Sequence, residues 1–394
     1  MALIVLGAGA TRGSEFAENN VCKPPLNDDF FTQLQRISDE KHIKVVKATI
    51  KDVISLFGKN FRVTMEEFFT QIEFYRKVLS VARERRRYTE ANFNKIKDNF
   101  IAAISAVFEE SITQETCEYH RKIVKSLKKD DTIISFNYDC VMDYALRDVG
   151  EDKWQAKYGY SFPLKGYQTP GIEFWNPKGV RSLATRNETI KFLKLHGSLN
   201  WQINDTKKYI RLKKHLYQNT GIPRFTIIPP EWNKEQLKQR TFTKIWKEAA
   251  SRIHREKTFV LIGFSFVPTD LYAASLFQVS IKERGIKKLV IVNPDKEARR
   301  RTRTVLNRGI SDETLIVQYD SVKEFSRANL DKLFSEKREI GKYVDTPLPA
   351  SVTVMAPQLG TKTKPEVPDI KQVAQEEEIV KKNIEKDIEK PDRS

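Results

Sequence analysis

Short, mainly apolar segments that stop abruptly at a glycine constrain this chain more than any other feature. Residues 2–6 (ALIVL) run directly into Gly7, and residues 258–262 (TFVLI) run directly into Gly263. Runs of this kind are typical of strands buried on both faces of a parallel sheet, because a strand with one wet face would alternate apolar and polar side chains. The sequence therefore predicts an α/β fold.

The spacing of later elements strengthens this prediction. Strands and helices alternate in the order strand 258–262, helix 269–283, strand 288–292, helix 295–307, strand 314–318 and helix 321–338. Such alternation predicts right-handed crossovers in a Rossmann-like parallel sheet. Ligands of these sheets bind at the carboxyl ends of the strands, near the point where the strand order reverses. Earlier strands are predicted at 132–136, 190–195 and 225–228.

The rest of the chain divides into a helical insertion and a tail. From about residue 32 to 127 apolar side chains recur at helical spacing, as at Phe93, Ile96 and Phe100, so we predict an inserted helical subdomain. Residues 345–394 hold six prolines and no aromatic residue, which predicts a flexible, Pro-rich, charged linker or tail. We therefore expect one folded domain over residues 1–344.

The charge of the chain points to an acidic partner. The 394 residues carry 69 Lys and Arg against 52 Asp and Glu, a formal net charge of +17. The tail is slightly acidic, so the excess positive charge lies in the first 344 residues. Lys and Arg are densest there at 83–87, 207–214 and 299–303. Nucleic acid or a phosphorylated ligand would suit this charge. The alternative is that these basic runs are ordinary solvent-exposed faces of helices or loops.

Cysteine content and hydropathy suggest a compartment. Three cysteines cannot build a disulfide framework, which favours a reducing environment. No apolar run reaches the ~20 residues of a membrane span. We therefore expect a cytoplasmic protein that does not bind a membrane.

Polar groups follow several of the predicted strands. The loop that begins Gly7-Ala8-Gly9 suits close approach to a diphosphate. In the Gly-x-Gly-x-x-Gly fingerprint of dehydrogenases the third glycine would stand at position 12, but here it is Gly13. The fingerprint is also followed by a second strand that ends in an acidic residue, and no such strand is predicted here. Both differences argue against hydride transfer. Asn137 and His196 each follow a buried strand, and a histidine there is a candidate general acid or base.

Two other chemistries find no support in the sequence. The three cysteines and five histidines show no metal-ligand spacing, so no metal is expected. No Gly-x-x-x-x-Gly-Lys-Ser/Thr segment is present, which argues against an ATPase.

Taken in order, the motifs resemble those of the sirtuin-like NAD-consuming family. The matching segments are Gly7-Ala8-Gly9-Ala10-Thr11, Pro24-Pro25-Leu26-Asn27-Asp28-Asp29-Phe30, Ser135-Phe136-Asn137-Tyr138-Asp139, Lys194-Leu195-His196-Gly197-Ser198-Leu199-Asn200-Trp201, Gly263-Phe264-Ser265-Phe266, Pro268-Thr269-Asp270 and Val292-Asn293-Pro294. The helical insertion makes the chain similar to the prokaryotic branch that degrades NAD in antiphage defence. Some members of that branch pair with a HerA-like hexameric ATPase.

The resemblance implies an activity and roles for particular residues. The implied activity is an NAD+ glycohydrolase (NADase) that releases nicotinamide and ADP-ribose, acts as an oligomer and has NAD as its substrate. Asn137 would hold the attacking water or the nicotinamide ribose, and His196 would be the general base. The remaining implied NAD-binding residues are Gly7, Ala8, Gly9 and Thr11 at the diphosphate, Asp28 or Asp29 near the nicotinamide, and Ser265 and Asn293 at the adenosine.

Two alternatives remain open at this point. The basic body also suits a nucleic-acid-binding or assembly subunit whose nucleotide pocket is only a sensor. A protein deacylase is less well supported, because sirtuin deacylases carry a four-cysteine zinc ribbon and this chain has three cysteines in all.

Overall fold

The computed structural model describes residues 1–81, 89–162, 169–180, 185, 188–204, 209–213, 226–227, 239–335 and 353–355. Contacts along the chain group Met1–Pro357 into one compact unit and Gln358–Ser394 into another, and the second unit lies outside the described residues. The strands, in chain order, are β1 (Ala2–Leu6), β2 (Thr132–Ser135), β3 (Lys191–Lys194), β4 (Gly197–Ser198), β5 (Trp201–Asn204), β6 (Tyr209–Leu212), β7 (Thr226–Ile227), β8 (Thr258–Ile262), β9 (Lys288–Val292), β10 (Leu315–Tyr319) and β11 (Thr353–Met355).

The main sheet confirms the predicted Rossmann-like fold. Its strand order is β11-β10-β9-β8-β1-β2-β3, and every pairing is parallel except that of β10 with β11. From β1 the chain builds outward through β2 and β3 on one side and later through β8, β9 and β10 on the other. The strand order therefore reverses between β1 and β8, and a ligand crevice is expected at their carboxyl ends.

Helices cover the sheet and form the insertion. They are α1 (Ala8–Arg12), α2 (Phe30–Gln35), α3 (Glu40–Phe57), α4 (Met65–Val81), α5 (Glu90–Ser111), α6 (Glu118–Ser126), α7 (Val141–Val149), α8 (Ala156–Gly159), α9 (Arg240–Arg255), α10 (Leu271–Ser280), α11 (Lys296–Val305), α12 (Val322–Phe325) and α13 (Leu330–Phe334). Among the described residues no helix is long and apolar enough to cross a membrane.

The predicted helical insertion is present and has an aromatic core of its own. Helices α2 to α5 pack around Phe31, Phe68 and Phe100, and the ring centroids of Phe68 and Phe100 are 4.7 Å apart, edge to face. Buried aromatic pairs of this kind contribute about 0.5–1.5 kcal/mol beyond the area they bury. The same cluster includes Tyr138, after β2, and Leu199, after β4, so the insertion packs directly against segments that follow strands of the main sheet.

Some element boundaries differ from the predictions. The helix predicted over 321–338 is divided into α12 and α13, because the side chain of Asn329 accepts a hydrogen bond from the Lys332 amide and starts a new helix. The strand predicted at 225–228 is the two-residue β7, which pairs antiparallel with β4 outside the main sheet. The runs at 83–87 and 207–208 lie outside the described residues, as does almost all of the predicted tail.

Candidate functional site

A cavity of about 690 Å³ lies where the fold predicts a ligand crevice. Its walls come from the loops after β1, β2, β8 and β9, and helix α4 of the insertion contributes Met65 and Glu66. Of the ten residues predicted to form the site, nine line this cavity: Gly7, Ala8, Gly9, Thr11, Asp28, Asn137, His196, Ser265 and Asn293.

The floor of the cavity is the junction of the loops after β1 and β8. The Gly7 amide donates to the Ile262 carbonyl and the Gly9 amide to the Gly263 carbonyl, both at 3.0 Å. Gly263 has φ of +59°, and a Cβ atom on it would lie 2.1 Å from the Ala10 nitrogen. Glycine is therefore required for the two loops to meet. Because the Gly7 and Gly9 amides are used in this junction, diphosphate binding by these two residues stays a prediction.

Asn137 is held against the glycine loop by its side-chain amide. Its Nδ2 donates to the Gly7 carbonyl at 3.0 Å and to Thr11 Oγ1 at 3.2 Å, and Thr11 in turn donates to Asp139 Oδ2 at 2.7 Å. Both donor hydrogens are thus occupied, which fixes the orientation of the amide plane. The Oδ1 atom is buried and has no hydrogen-bond partner among the residues that the structure describes.

That unpartnered oxygen distinguishes Asn137 from an ordinary structural asparagine. Leaving a buried acceptor without a donor costs about 1–3 kcal/mol. The cost is relieved if a ligand hydroxyl or a water molecule donates to Oδ1 inside the cavity. Asn137 therefore meets the requirement for a residue that positions a donor of this kind.

His196 lies at the same sheet edge as Asn137. The register of β2 and β3 pairs Ser135 with Lys194, and Asn137 and His196 each follow that pair by two residues. His196 is 7% exposed, and its ring packs edge to face on Phe136, with ring centroids 5.1 Å apart. Adjacent strands thus deliver the two predicted catalytic side chains to one end of the cavity.

Asp270 orients His196, and no role for it was predicted from the sequence. Its Oδ2 lies 3.2 Å from His196 Nε2, and its Oδ1 accepts a hydrogen bond from the Ala273 amide at the start of α10. The helix cap fixes the carboxylate, and the carboxylate fixes the ring. The sequence placed Asp270 inside the predicted helix 269–283 and in a motif of the family resemblance, and gave no sign of its pairing with a histidine 74 positions away.

The two aspartates proposed for the nicotinamide end have different surroundings. Asp28 is exposed and lines the cavity. Asp29 accepts hydrogen bonds from the Leu26 amide and Gln33 Nε2 and forms an ion pair with Arg12. Asp29 therefore supports the loop and compensates the charge of Arg12, which lines the cavity near the glycine loop.

Ser265 and Asn293, the residues predicted to contact adenosine, lie in the loops after β8 and β9. Asn293 Nδ2 lies 3.3 Å from both Ser265 Oγ and the Phe264 carbonyl, so the two predicted residues are neighbours. Arg301 adds a cation to this wall, and its Nε donates to the Ser265 carbonyl at 3.1 Å. The basic run at 299–303 thus contributes in part to the cavity rather than only to a solvated surface.

A buried cation behind the cavity holds the loops after β2 and β3 together. Lys194 is fully buried, and its Nζ donates to the Asp139 carbonyl at 2.6 Å, to Asp143 Oδ2 at 2.8 Å and to Ser198 Oγ at 2.5 Å. Burial alone would lower the pKa of Lys194, but the Asp143 carboxylate outweighs it and the pKa is raised. The charged ammonium therefore links both loops that carry the candidate catalytic residues.

In the described part of the chain, no group of three or more His, Cys, Asp or Glu side chains is arranged to hold a metal ion. The three cysteines are all buried as thiols.

Part of the chain matches a known protein family. Residues 131–311, which span β2 to the end of the turn after α11, match the family model of the SIR2-like domain. The match supports a sirtuin-like family and NAD-related enzyme activity, and it includes Asn137, His196, Asp270 and Asn293. No curated protein matches the chain.

Proposed function

We propose that this protein is an NAD+ glycohydrolase that cleaves the bond between nicotinamide and ribose. One observation carries the proposal: Asn137 with its unpartnered buried oxygen and the His196–Asp270 pair lie at the same end of a cavity in a SIR2-like domain. The cavity volume of about 690 Å³ falls in the range of small-molecule sites.

The proposed reaction consumes one water molecule. The bond between C1′ of the ribose and the ring nitrogen breaks, and its electron pair leaves with neutral nicotinamide. A water oxygen forms the new bond to C1′, and the proton it loses is released, so that the products are nicotinamide, ADP-ribose and H⁺. Catalysis of this step requires a fixed ribose, a positioned water molecule and an acceptor for the proton.

The chain supplies a candidate for each requirement. Asn137 Oδ1 would accept a hydrogen bond from the water molecule or a ribose hydroxyl. His196 would receive the proton, with Asp270 stabilising the imidazolium that forms. Arg12 and Arg301, which pair with Asp29 and Asp295, would donate guanidinium hydrogen bonds to the diphosphate and adjoining groups along the cavity wall.

Product analysis separates this proposal from deacylation. Purified protein incubated with NAD alone should release nicotinamide and ADP-ribose in equal amounts. A deacylase would instead require an acylated peptide and would yield acylated ADP-ribose. Turnover that appears only when the peptide is added would contradict the proposal.

The resemblance extends the proposal to antiphage defence. NAD depletion would then be the output of the system, and restraint before infection would come from assembly as a homo-oligomer or with a HerA-like ATPase. Co-purification of the protein with the product of a neighbouring ATPase gene tests the pairing. A partner that raises or lowers nicotinamide release would support it, and recovery of no ATPase would contradict it.

A further inference from the structure

Helix α4 of the insertion brings a buried carboxylate to the wall of the cavity proposed to bind NAD. Glu66 is the second residue of α4, it is 2% exposed, and it lines the cavity. A carboxylate in the first turn of a helix is stabilised by the partial positive charge of that end. The neighbouring Glu67 meets that need from an exposed position, where its Oε2 accepts a hydrogen bond from the Thr64 amide at 2.8 Å. The burial of Glu66 therefore requires a second explanation.

The loop at Asn27 holds the start of α4 in place. The Met65 amide donates to the Asn27 carbonyl at 3.0 Å, and the Glu66 amide donates to Asn27 Oδ1 at 2.9 Å. The same loop is tied to α1, because Arg12 Nη1 donates to the Pro24 carbonyl at 2.6 Å. The backbone of Glu66 is therefore fixed relative to the glycine loop on the other side of the cavity.

The side chain of Glu66 reaches the loop after β8. Its Oε2 accepts a hydrogen bond from the hydroxyl of Thr269, 203 positions later in the chain. Thr269 directly precedes Asp270, whose Oδ2 lies 3.2 Å from His196 Nε2. The Asp270 side chain also caps α10, so the helix fixes Asp270 from its carboxyl side and the Glu66 contact fixes it from its amino side.

We propose that Glu66 and Thr269 are positioning residues, which hold Asp270 against His196 and make the helical insertion part of the catalytic centre. An imidazole transfers a proton well only in the correct orientation, and a small misplacement of a catalytic group lowers turnover steeply. A hydrogen bond at the residue before Asp270 restricts the carboxylate that orients the ring. The effect on turnover rests on the glycohydrolase function proposed above, whereas the effect on the His196 ring does not.

The alternative is that this contact only attaches the insertion to the main sheet. The aromatic cluster around Phe100 already does so, because it includes Tyr138 and Leu199. A contact that served attachment alone would change stability and leave kcat unaltered. Kinetics and stability measured on the same variants therefore separate the two roles.

Substitution of Thr269 tests the proposal in the full-length protein. Thr269→Val keeps the shape of the side chain and removes the hydroxyl, whereas Thr269→Ser keeps the hydroxyl and removes the methyl group. The matched control is Thr49→Val, which removes a buried hydroxyl of the insertion that donates to the Asn99 carbonyl at 3.3 Å. Nicotinamide release at several NAD concentrations gives kcat and KM, and thermal unfolding gives the melting temperature of each variant.

We expect Thr269→Val to lower kcat about tenfold with KM within about twofold, and Thr269→Ser to keep kcat within about twofold of the wild type. Thr49→Val should lower the melting temperature and leave kcat unaltered. In an Asp270→Asn background Thr269→Val should cause no further loss, because no carboxylate remains to be positioned. Additive losses in that background, or a kcat that Thr269→Val does not change, would overturn the proposal.

A spectroscopic readout decides the same question without turnover. The NMR ring resonances of His196 in histidine-labelled protein, assigned by their loss in His196→Gln, should move in Thr269→Val and in Glu66→Ala. They should match the wild type in Thr269→Ser and in Thr49→Val. Unmoved resonances in Thr269→Val would overturn the proposal even if the wild type hydrolyses NAD. If the wild type releases no nicotinamide but the resonances move as expected, the glycohydrolase proposal fails and the positioning of His196 is supported.

Discussion

Asn137 is the residue on which the functional account depends most. Its two amide hydrogens are used to fix it to Gly7 and Thr11, and its carbonyl oxygen is the atom left for a ligand. An asparagine retained only for structure would satisfy its acceptor as well as its donors. The arrangement is explained if Oδ1 acts on a water molecule or a ribose hydroxyl.

Asp270 provides a test of how His196 is oriented. Asp270→Asn keeps an acceptor for the Ala273 amide, because asparagine is a good helix cap, but removes the charge beside the ring. We expect nicotinamide release to fall about 100-fold in kcat with little change in KM. Asp39→Asn makes the same change at the cap of α3 and should leave turnover unaltered. Equal turnover in both variants would exclude a positioning role for Asp270.

Substitution of Lys194 tests whether its buried ammonium stabilises the loops after β2 and β3. Lys194→Met leaves the Asp143 carboxylate buried without its cation, and we expect a loss of about 3–5 kcal/mol in the free energy of unfolding, measured in urea. Adding Asp143→Asn should restore part of that loss, since the neutral amide oxygen still accepts from the Tyr160 hydroxyl. A loss below about 1 kcal/mol in the single variant would contradict this role.

At the scale of elements, the junction between β1 and β8 positions the site. Both loops leave the sheet at its reversal point, and Gly263 allows them to touch. The neighbouring Phe266 has φ of +44°, an uncommon value for a residue with a bulky side chain, and packs against Phe264 and Phe277. Packing therefore holds the loop after β8 in a conformation that its sequence alone would not favour.

Replacement of Gly263 by alanine, compared with replacement of Gly58, separates the cost of close packing at this junction from the cost of a left-handed backbone. Gly263→Ala combines a left-handed φ with a collision at the Ala10 nitrogen, whereas Gly58→Ala has φ of +83° and no atom within 4 Å of the new Cβ. We expect Gly58→Ala to cost about 1 kcal/mol and Gly263→Ala at least about 2 kcal/mol more. Thermal unfolding of both variants measures the difference, and similar melting temperatures would show that the junction tolerates a side chain.

Much of the element order could be predicted from the sequence. Strands β1, β8 and β9 were predicted with the bounds that the structure shows, because strands buried on both faces give continuous apolar runs. The break between α12 and α13 was missed. Apolar residues recur on both sides of the turn before Asn329, so the sequence indicates one continuous helix. The His196–Asp270 pair was missed because sequence periodicity carries no information on contacts between distant segments.

At the scale of the whole molecule, the boundary of the folded domain stays a prediction. The sequence places it at residue 344, whereas the three-residue β11 lies beyond that point and pairs antiparallel with β10. A strand this short at the edge of a sheet contributes little, with each net hydrogen bond contributing about 1 kcal/mol. The folded domain should therefore tolerate its loss.

Two truncated chains test this expectation. A chain ending at Pro357 should be soluble, with the melting temperature and NAD turnover of the full chain. A chain ending at Val344 should also fold, with about 1–2 kcal/mol less stability because β10 loses its partner. Aggregation of the longer chain would place part of the folded core after Pro357.

The measurement that tests the central claim most directly is nicotinamide release from NAD by the purified full-length protein and its Asn137→Ala variant. The account predicts steady release by the wild type with ADP-ribose as the co-product. It predicts a loss of at least about 100-fold in the variant. The circular dichroism of the variant should match the wild type, although loss of the hydrogen bonds to Gly7 and Thr11 lowers its melting temperature. Wild-type turnover in a folded Asn137→Ala protein would contradict the assignment of this cavity as the catalytic site.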